Sequence, residues 1–555
     1  LLKKLIGYSL LFIISSSCWK NTYSQINTTN TDSFIRKIDA IMSAYKGNDR
    51  PGATIGIIHN GVLVFKKGYG MANIAQGIPN NPDIVYKVAS VSKQFTAASI
   101  VSLMQQHQIQ LTDTIGKYIK GLPDYGKPIT IANLLYHTSG LRDYMALMWL
   151  SGKSFEDKFT NKDALNLMAR QTALNFTTGH RCVYSNSNYI WLTELVQKVT
   201  GTSLKRYAYE NIFKPLGMSG TGFDGYKVSG KKVLAQSYKN TSAGYQPYKN
   251  NNKTYGDGGL WTNLEDLLHW DNLFYDTMSV AASLLKTGQL ENGNRLSYGM
   301  GIMWGNYRQE PVQMHPGAFL GYRAEILRFP GRNITIICLA NAEDINPETL
   351  TRQIADLYVF KLPLIDTITP EPTVGLAEAY DPLMEGRYEV APNVFIDIRY
   401  ENQQWTGQAT GQPRQKLVKE VEQVYKIGTT TDKVLFTINK KTGARELQIV
   451  QPHGTTVAVK LELITGRDLN EFVGEYESPE QKVTYKFFIE KGQLWFKVGA
   501  NPKEKANVIR KYNKLNFSYQ NLEAATMEFS RNSQGLIDGF TLSSGRVYGI
   551  KFFKK

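Results

Sequence analysis

Val88-Ala89-Ser90-Val91-Ser92-Lys93 is followed by Phe95, Ala98, Val101 and Met104. Those four apolar residues recur at helical spacing. The stretch therefore reads as a helix that begins near Ser90 and carries Ser90 and Lys93 one turn apart on one face. An isolated Ser-x-x-Lys is common on helices, where the serine caps the end and the lysine is solvated. Its meaning depends on what surrounds it.

Upstream, residues 33–46 read as an amphipathic opening helix. Ala53–Ile58 and Val62–Lys67 are strand-like runs joined through His59-Asn60-Gly61, and Asn-Gly between two such runs signals a tight hairpin. A second pair of runs, Ala324–Phe329 and Asn333–Ala340, flanks Pro330-Gly331-Arg332. Pro347–Val359 then reads as a helix with proline in its first turn. Between the two hairpins the chain is largely helical, including 163–171 and 187–199. The expected fold class is α/β: an antiparallel sheet flanked by helices, with an all-helical lobe beside it.

Two further groups of residues stand in that frame. Tyr184-Ser185-Asn186 precedes a helix. Beside a lysine ammonium, Tyr184 can serve as general base toward Ser90 and later protonate a leaving group. Asn186 can accept from Lys93 and donate to a substrate carbonyl. His315-Pro316-Gly317-Ala318 precedes the third strand-like run. An edge strand there would set the Ala318 amide opposite the Ser90 amide as an oxyanion hole, worth about 3–4 kcal/mol per donor. Gly317 would allow close backbone approach. His315 would line the far side as a donor or partial cation.

Ser-x-x-Lys, Tyr-x-Asn and His-x-Gly, in that order on helix, loop and strand, resemble the serine β-lactamase and D-alanyl-D-alanine peptidase superfamily (peptidase family S12). The class C-like branch, which also holds esterases and D-aminopeptidases, is the most similar. Leu134-Leu135-Tyr136-His137-Thr138-Ser139-Gly140-Leu141 is close to that family's Leu-Leu-x-His-Thr-Ser-Gly-Leu. Pro215-Leu216-Gly217-Met218 and Gly256-Asp257-Gly258-Gly259-Leu260 match further landmarks. The resemblance covers about residues 33–360. It implies acyl transfer through Ser90, with Lys93 and Tyr184 catalytic, Asn186, His315, Gly317 and Ala318 binding substrate, His137 structural, and no metal or other cofactor. The departure from Lys-Thr-Gly at 315–317 weakens the β-lactamase reading. Pro316 lacks a hydroxyl to hold a carboxylate, which puts strict carboxypeptidase specificity in doubt.

The implied activity is that of a D-amino-acid peptidase, of D,D-carboxypeptidase or D-aminopeptidase type, on small peptides, with peptidoglycan as a source. Carboxylesterase and β-lactamase are the alternatives within the superfamily. A non-catalytic envelope binding or sensor protein is the alternative outside it.

The 555 residues exceed one core. Residues 1–25, with Lys3 and Lys4 before the apolar run Leu5–Ile14, read as a signal peptide for export to periplasm or exterior. A lipid anchor at Cys18 is the alternative. Cys182 and Cys338 suggest neither disulfide nor metal, and Cys182 reads as a small buried hydrophobe. The net charge of +16, three of it from Lys3, Lys4 and Lys20, comes with no nucleic-acid-binding signature.

The expected division is a hydrolase domain at 26–360, a proline-bearing linker at 361–373, and two β-rich, barrel-like modules at 374–465 and 466–555. A repeat supports the last two: Gly386-Arg387-Tyr388 echoes Gly474-Glu475-Tyr476, Trp405 echoes Trp495, Gly411-Gln412-Pro413 echoes Ala500-Asn501-Pro502, and Phe436 echoes Phe529. These modules resemble the lipocalin-like modules that follow the catalytic domain in some relatives. They are expected either to cover the mouth of the site or to drive homo-oligomer formation.

Overall fold

The computed structural model describes residues 28–225, 232–362 and, apart from short interruptions, 380–555. The expected signal peptide, residues 363–373 of the expected linker, and the Gly411-Gln412-Pro413 echo lie outside the described residues. The chain divides into two compact units, 1–44 and 45–555. In the first, helix α1 spans Thr28–Ile41, earlier than the helix expected at 33–46.

The larger unit begins with strands β1 (Ala53–His59) and β2 (Val62–Tyr69). Their turn is Asn60-Gly61, with φ of +50° and +74°, the left-handed pair that a two-residue hairpin matched to strand twist requires. Strands β3 (Met303–Tyr307), β4 (Glu310–Phe319), β5 (Tyr322–Phe329) and β6 (Ile334–Ala340) complete a six-stranded antiparallel sheet in the order β3-β4-β5-β6-β1-β2. The first and last thirds of the domain meet where Ala53 pairs with Ala340 and His59 with Ile334. Both faces of β1 and β6 are buried, which explains their unbroken apolar runs. Thr351 of the helix Pro347–Tyr358 bonds Glu325 on one face. Leu264 packs against Gly56 on the other.

The helical lobe centres on α2 (Ser92–Gln105), which is buried on every side from Ser92 to Ile100. The apolar spacing that reveals the helix in the sequence marks only part of its contact surface. Around it pack α3 (Tyr144–Leu150), the helix Asn161–Ala169 and α4 (Asn186–Thr200).

Downstream, eight strands between Gly386 and Lys460 form a closed antiparallel barrel, sealed where Tyr388 pairs with Lys460. Tyr388, Ile398, Trp405, Leu417 and Leu447 fill its core. The second module repeats this path. Between the third strand, Gln493–Val498, and Lys514–Phe517, however, the chain is split into Glu504–Lys505 and Asn507–Arg510, so its ten-stranded sheet stays open.

The repeat is visible atom by atom. Gly386 and Gly474 have φ of +149° and +150°, and a Cβ on either would meet the Cε of Lys460 or Lys554 at 2.7 or 2.8 Å. One echo is corrected. Hairpin register aligns Gln404 with Gln493, because these pair with Glu401 and Glu490. Trp405 therefore corresponds to Leu494, and Trp495 lies on the opposite face of its strand.

Candidate active site

Ser90 lies in a 3-10 turn, Ala89–Val91, that feeds α2. Ala89 has φ of +45°, a costly conformation for a residue with a Cβ. The turn is pinned from several sides. Ser92 Oγ donates to the Ala89 carbonyl at 2.5 Å and accepts from Leu260 N at 3.1 Å, and Val88 N donates to the Leu260 carbonyl at 3.0 Å. This holds Ser90 half-buried at the entrance to the lobe.

Lys93 is fully buried. Its ammonium donates to Ser90 Oγ at 3.2 Å, Asn186 Oδ1 at 2.8 Å and the Asp257 carbonyl at 2.6 Å. Three acceptors match its three protons.

Tyr184 presents its ring face to Lys93, 4.9 Å from Nζ, and its ring lies 4.4 Å from that of His137. Its hydroxyl is buried without a hydrogen-bond partner. Buried polar atoms are nearly always satisfied, and His137 Nε2 and Ser185 Oγ beside it are likewise without a partner. His137 Nδ1 faces Ser185 N at 3.2 Å and Asn188 Nδ2 at 2.9 Å. Burial, aided by Lys93, holds its pKa well below the usual value, so the ring is neutral and supports the Tyr184–Asn186 segment from behind.

Asn186 is engaged at both ends of its side-chain amide. Its carbonyl accepts from Lys93, but its amide donates to Asp143 Oδ2 at 2.9 Å, with Met145 Sδ at 3.6 Å. Asp143 also accepts from Asn186 N at 2.7 Å. The side chain of Ser185 makes no capping bond to α4, and the buried Asp143 carboxylate serves that helix start from across the site. Asp143 also caps its own helix, α3. An aspartate just before the apolar run at 144–150 was the available clue.

Strand β3 pairs only with residues 310–314 of β4. The outer edge of His315–Phe319 is thus left to face the Ser90 turn. A Cβ on Gly317 would collide with the Val88 carbonyl and come within 3.2 Å of Ser90 N, so only glycine permits this approach. Ala318 follows, exposed at the mouth.

His315 departs from expectation. It is buried, Nδ1 lies 2.7 Å from the Pro316 carbonyl, and Nε2 faces the Tyr298 hydroxyl at 3.2 Å. Desolvation, with Lys93 nearby, lowers its pKa to about 3. It is therefore a neutral framework group and not a partial cation. Cys182, expected to be buried, is exposed. Among the described residues no cluster of three or more His, Cys, Asp or Glu is arranged to hold a metal ion.

The second β-module reaches this site. Arg142 donates to Glu480 at 2.8 Å and to the carbonyls of Tyr548 and Gly549 at 3.0 and 3.2 Å. The Arg546 carbonyl accepts from Asp143 N at 3.2 Å and Asn175 Nδ2 at 2.8 Å. Its guanidinium lies 5.1 Å from the centre of the Tyr184 ring. Nothing local in the sequence around Arg546 announces this.

Known proteins place the architecture. The D-aminopeptidase of Gluconobacter oxydans is 26% identical over 317 residues, which are 56% of this chain and 60% of that protein. The D-aminopeptidase of Brucella canis is 27% identical over 323 residues, 55% and 58% of the two chains. The match thus spans about three fifths of these relatives. In fold, the octameric penicillin-binding protein homologue from Pyrococcus abyssi aligns with a TM-score of 0.55 at 22% identity, covering 78% of this chain and all of that one. The penicillin binding protein from Bacillus halodurans aligns at 0.50 and 23%, covering 58% and 99%. The Beta-lactamase family profile matches residues 34–359, a span that carries the strained serine turn, the buried lysine and the glycine edge strand together. The chain belongs to the Beta-lactamase family.

Proposed function

We propose that the protein is a serine hydrolase of the D-peptidase type, working through an acyl-enzyme on Ser90. The observation that carries this reading is the contact of Lys93 Nζ with Ser90 Oγ, beside an edge strand that only Gly317 allows so close. The names of the D-aminopeptidase relatives support the substrate class.

In the proposed cycle the substrate carbonyl oxygen lies between the amides of Ser90 and Ala318. Ser90 Oγ bonds to the carbonyl carbon as the Lys93 ammonium offsets the growing negative charge. The serine proton passes by way of Tyr184 to the leaving nitrogen or oxygen, whose bond to carbon breaks. Water then adds to the acyl carbon, the acid departs, and Ser90 regains its proton. Asn186 and Asp143 fix the far side of Lys93. Export carried by residues 1–25 belongs to the same proposal.

Intact-protein mass spectrometry tests it, with wild type and Ser90→Ala incubated with a D-Ala-D-Ala peptide, a short acyl ester and a penicillin. The expected result is an adduct on wild type alone, transient with peptide and lasting with penicillin. Ester turnover without peptide cleavage would reassign the enzyme as an esterase, and rapid penicillin turnover as a β-lactamase. Turnover preserved in Ser90→Ala would overturn the mechanism.

A further inference from the structure

Asp143 is buried, and each of its polar atoms has a partner. Oδ1 accepts from Met145 N and Ala146 N at 2.9 and 3.3 Å, at the start of α3. Oδ2 accepts from Asn186 N and Nδ2 at 2.7 and 2.9 Å, at the start of α4. Its carbonyl accepts from Leu147 N at 3.0 Å, and its N–H donates to the Arg546 carbonyl at 3.2 Å. Ser187 doubles the join between the two helix starts. Its Oγ donates to the Arg142 carbonyl at 2.6 Å and accepts from Tyr144 N at 2.8 Å.

A side-chain amide has two ends of similar size and opposite character. On one side of Asn186 stands the Lys93 ammonium, which only donates. On the other stands the Asp143 carboxylate, which only accepts. Both demand the same orientation, with Oδ1 2.8 Å from Lys93 Nζ and Nδ2 2.9 Å from Asp143 Oδ2. A rotated amide would set N–H groups against the ammonium and take away one of its three acceptors. Asp143 is in turn held from the second β-module. Asn175 grips the turn between strands Ile537–Ser544 and Val547–Lys554, donating to the Arg546 carbonyl and accepting from Tyr548 N, both at 2.8 Å. These contacts to the turn are all made with its main chain.

We propose that Asp143 is a positioning residue. Seated by the main chain of the second β-module, it fixes the orientation of the Asn186 amide and so sets the Lys93 ammonium against Ser90. This rests on the acyl-enzyme reading above, and it gives the second β-module a part in the acylation step.

The test uses the full chain and p-nitrophenyl acetate. The burst of p-nitrophenolate reads acylation of Ser90, and intact mass reads the acetyl adduct. Asp143→Asn and Asp143→Ser both keep a residue able to cap α3, and melting temperature reads the fold separately. Each is expected to slow acylation by about tenfold or more, the scale of one charge-assisted contact, with KM little changed. Asn175→Ala, which loosens the turn and leaves Asp143 in place, should slow acylation by a smaller factor. In Asn186→Ala enzyme, neither Asp143→Asn nor Asn175→Ala should slow it further, because their effect passes through that amide. A merely structural role would instead add undiminished to the loss in Asn186→Ala. That result, or full acylation rates in both Asp143 variants, would overturn the positioning role while leaving the hydrolase reading intact. Absence of an adduct on Ser90 in wild type would overturn both.

Discussion

In the closed barrel, Tyr388 donates to the Met384 carbonyl at 2.8 Å and its ring lies 6.0 Å from Lys460 Nζ. In the second module, Tyr476 donates to the Phe472 carbonyl at 3.0 Å and its ring lies 5.6 Å from Lys554 Nζ. The shared opening motif leads to different allegiances. The barrel packs Tyr388, Trp405 and Leu447 into a core of its own. The second module's Tyr476, Tyr485 and Phe540 join the hydrophobic cluster that contains Phe95 and Leu147 of the catalytic domain. Duplication of a β-module thus supplies one copy that is closed on itself and one that is open, fused to the enzyme's core and able to contribute to its cleft.

The sharpest way to break this comparison is to empty the barrel. Trp405→Ala, which removes a fully buried indole, should destabilise the barrel by about 4 kcal/mol. Hydrolysis should be unchanged, with the loss appearing in calorimetry as a separate early transition. Activity falling in step would merge the two modules' roles.

The next pair of variants sets one buried arginine against another. Arg142 is tied to Glu480, and Arg387 is tied to Asp397 at 2.6 and 2.7 Å. Arg387→Ala strands the buried Asp397 carboxylate and should cost about 3 kcal/mol, whereas Glu480 is part-exposed and keeps its bonds from Thr172, so Arg142→Ala should cost less. Only Arg142→Ala should also lower kcat/KM, because only that arginine seats the Arg546 turn. Equal kinetics in the two variants would deny the second module its special place.

Tyr485→Phe is milder. It removes one hydrogen bond, to the Leu150 carbonyl at 3.0 Å, and should cost about 1 kcal/mol by denaturant titration. Any change in kinetics should be smaller than that of Arg142→Ala.

A pH-dependent effect lies in the catalytic domain itself. Burial raises the pKa of Asp257 from 3.8 to about 6 against the pull of Lys93. A carboxyl raised on folding favours the folded state fully below its unfolded pKa and loses that contribution as pH climbs through the folded value. Asp257→Asn should therefore gain stability relative to wild type between pH 4 and pH 7, read as a difference in melting temperature. A constant difference across that range would show that Asp257 is not desolvated as described.

Much of this architecture is legible in the residues themselves. Asn60-Gly61 announces its hairpin because two left-handed residues in a row are otherwise costly. Ser90, Lys93 and Asn186 converge as their motifs suggest, and the Gly317 edge approaches Ser90 as glycine alone permits. The rest depends on context that spacing does not carry. The charge of His315 is decided by burial under Tyr298. The partner of Asn186 is an aspartate from another loop. The Trp405–Trp495 match fails because a slip of one residue in a strand exchanges its faces. Arg546 reaches the Tyr184 ring through contacts between regions far apart in sequence.

Those contacts have a consequence in time. Arg142 and Tyr548, which bond one another, are separated by 406 residues, so a ribosome releases the nucleophile long before the turn that faces it. Domains fold as units during synthesis, and contacts across long loops come late. The catalytic domain is therefore made well before the module whose Tyr476, Tyr485 and Phe540 complete its hydrophobic cluster.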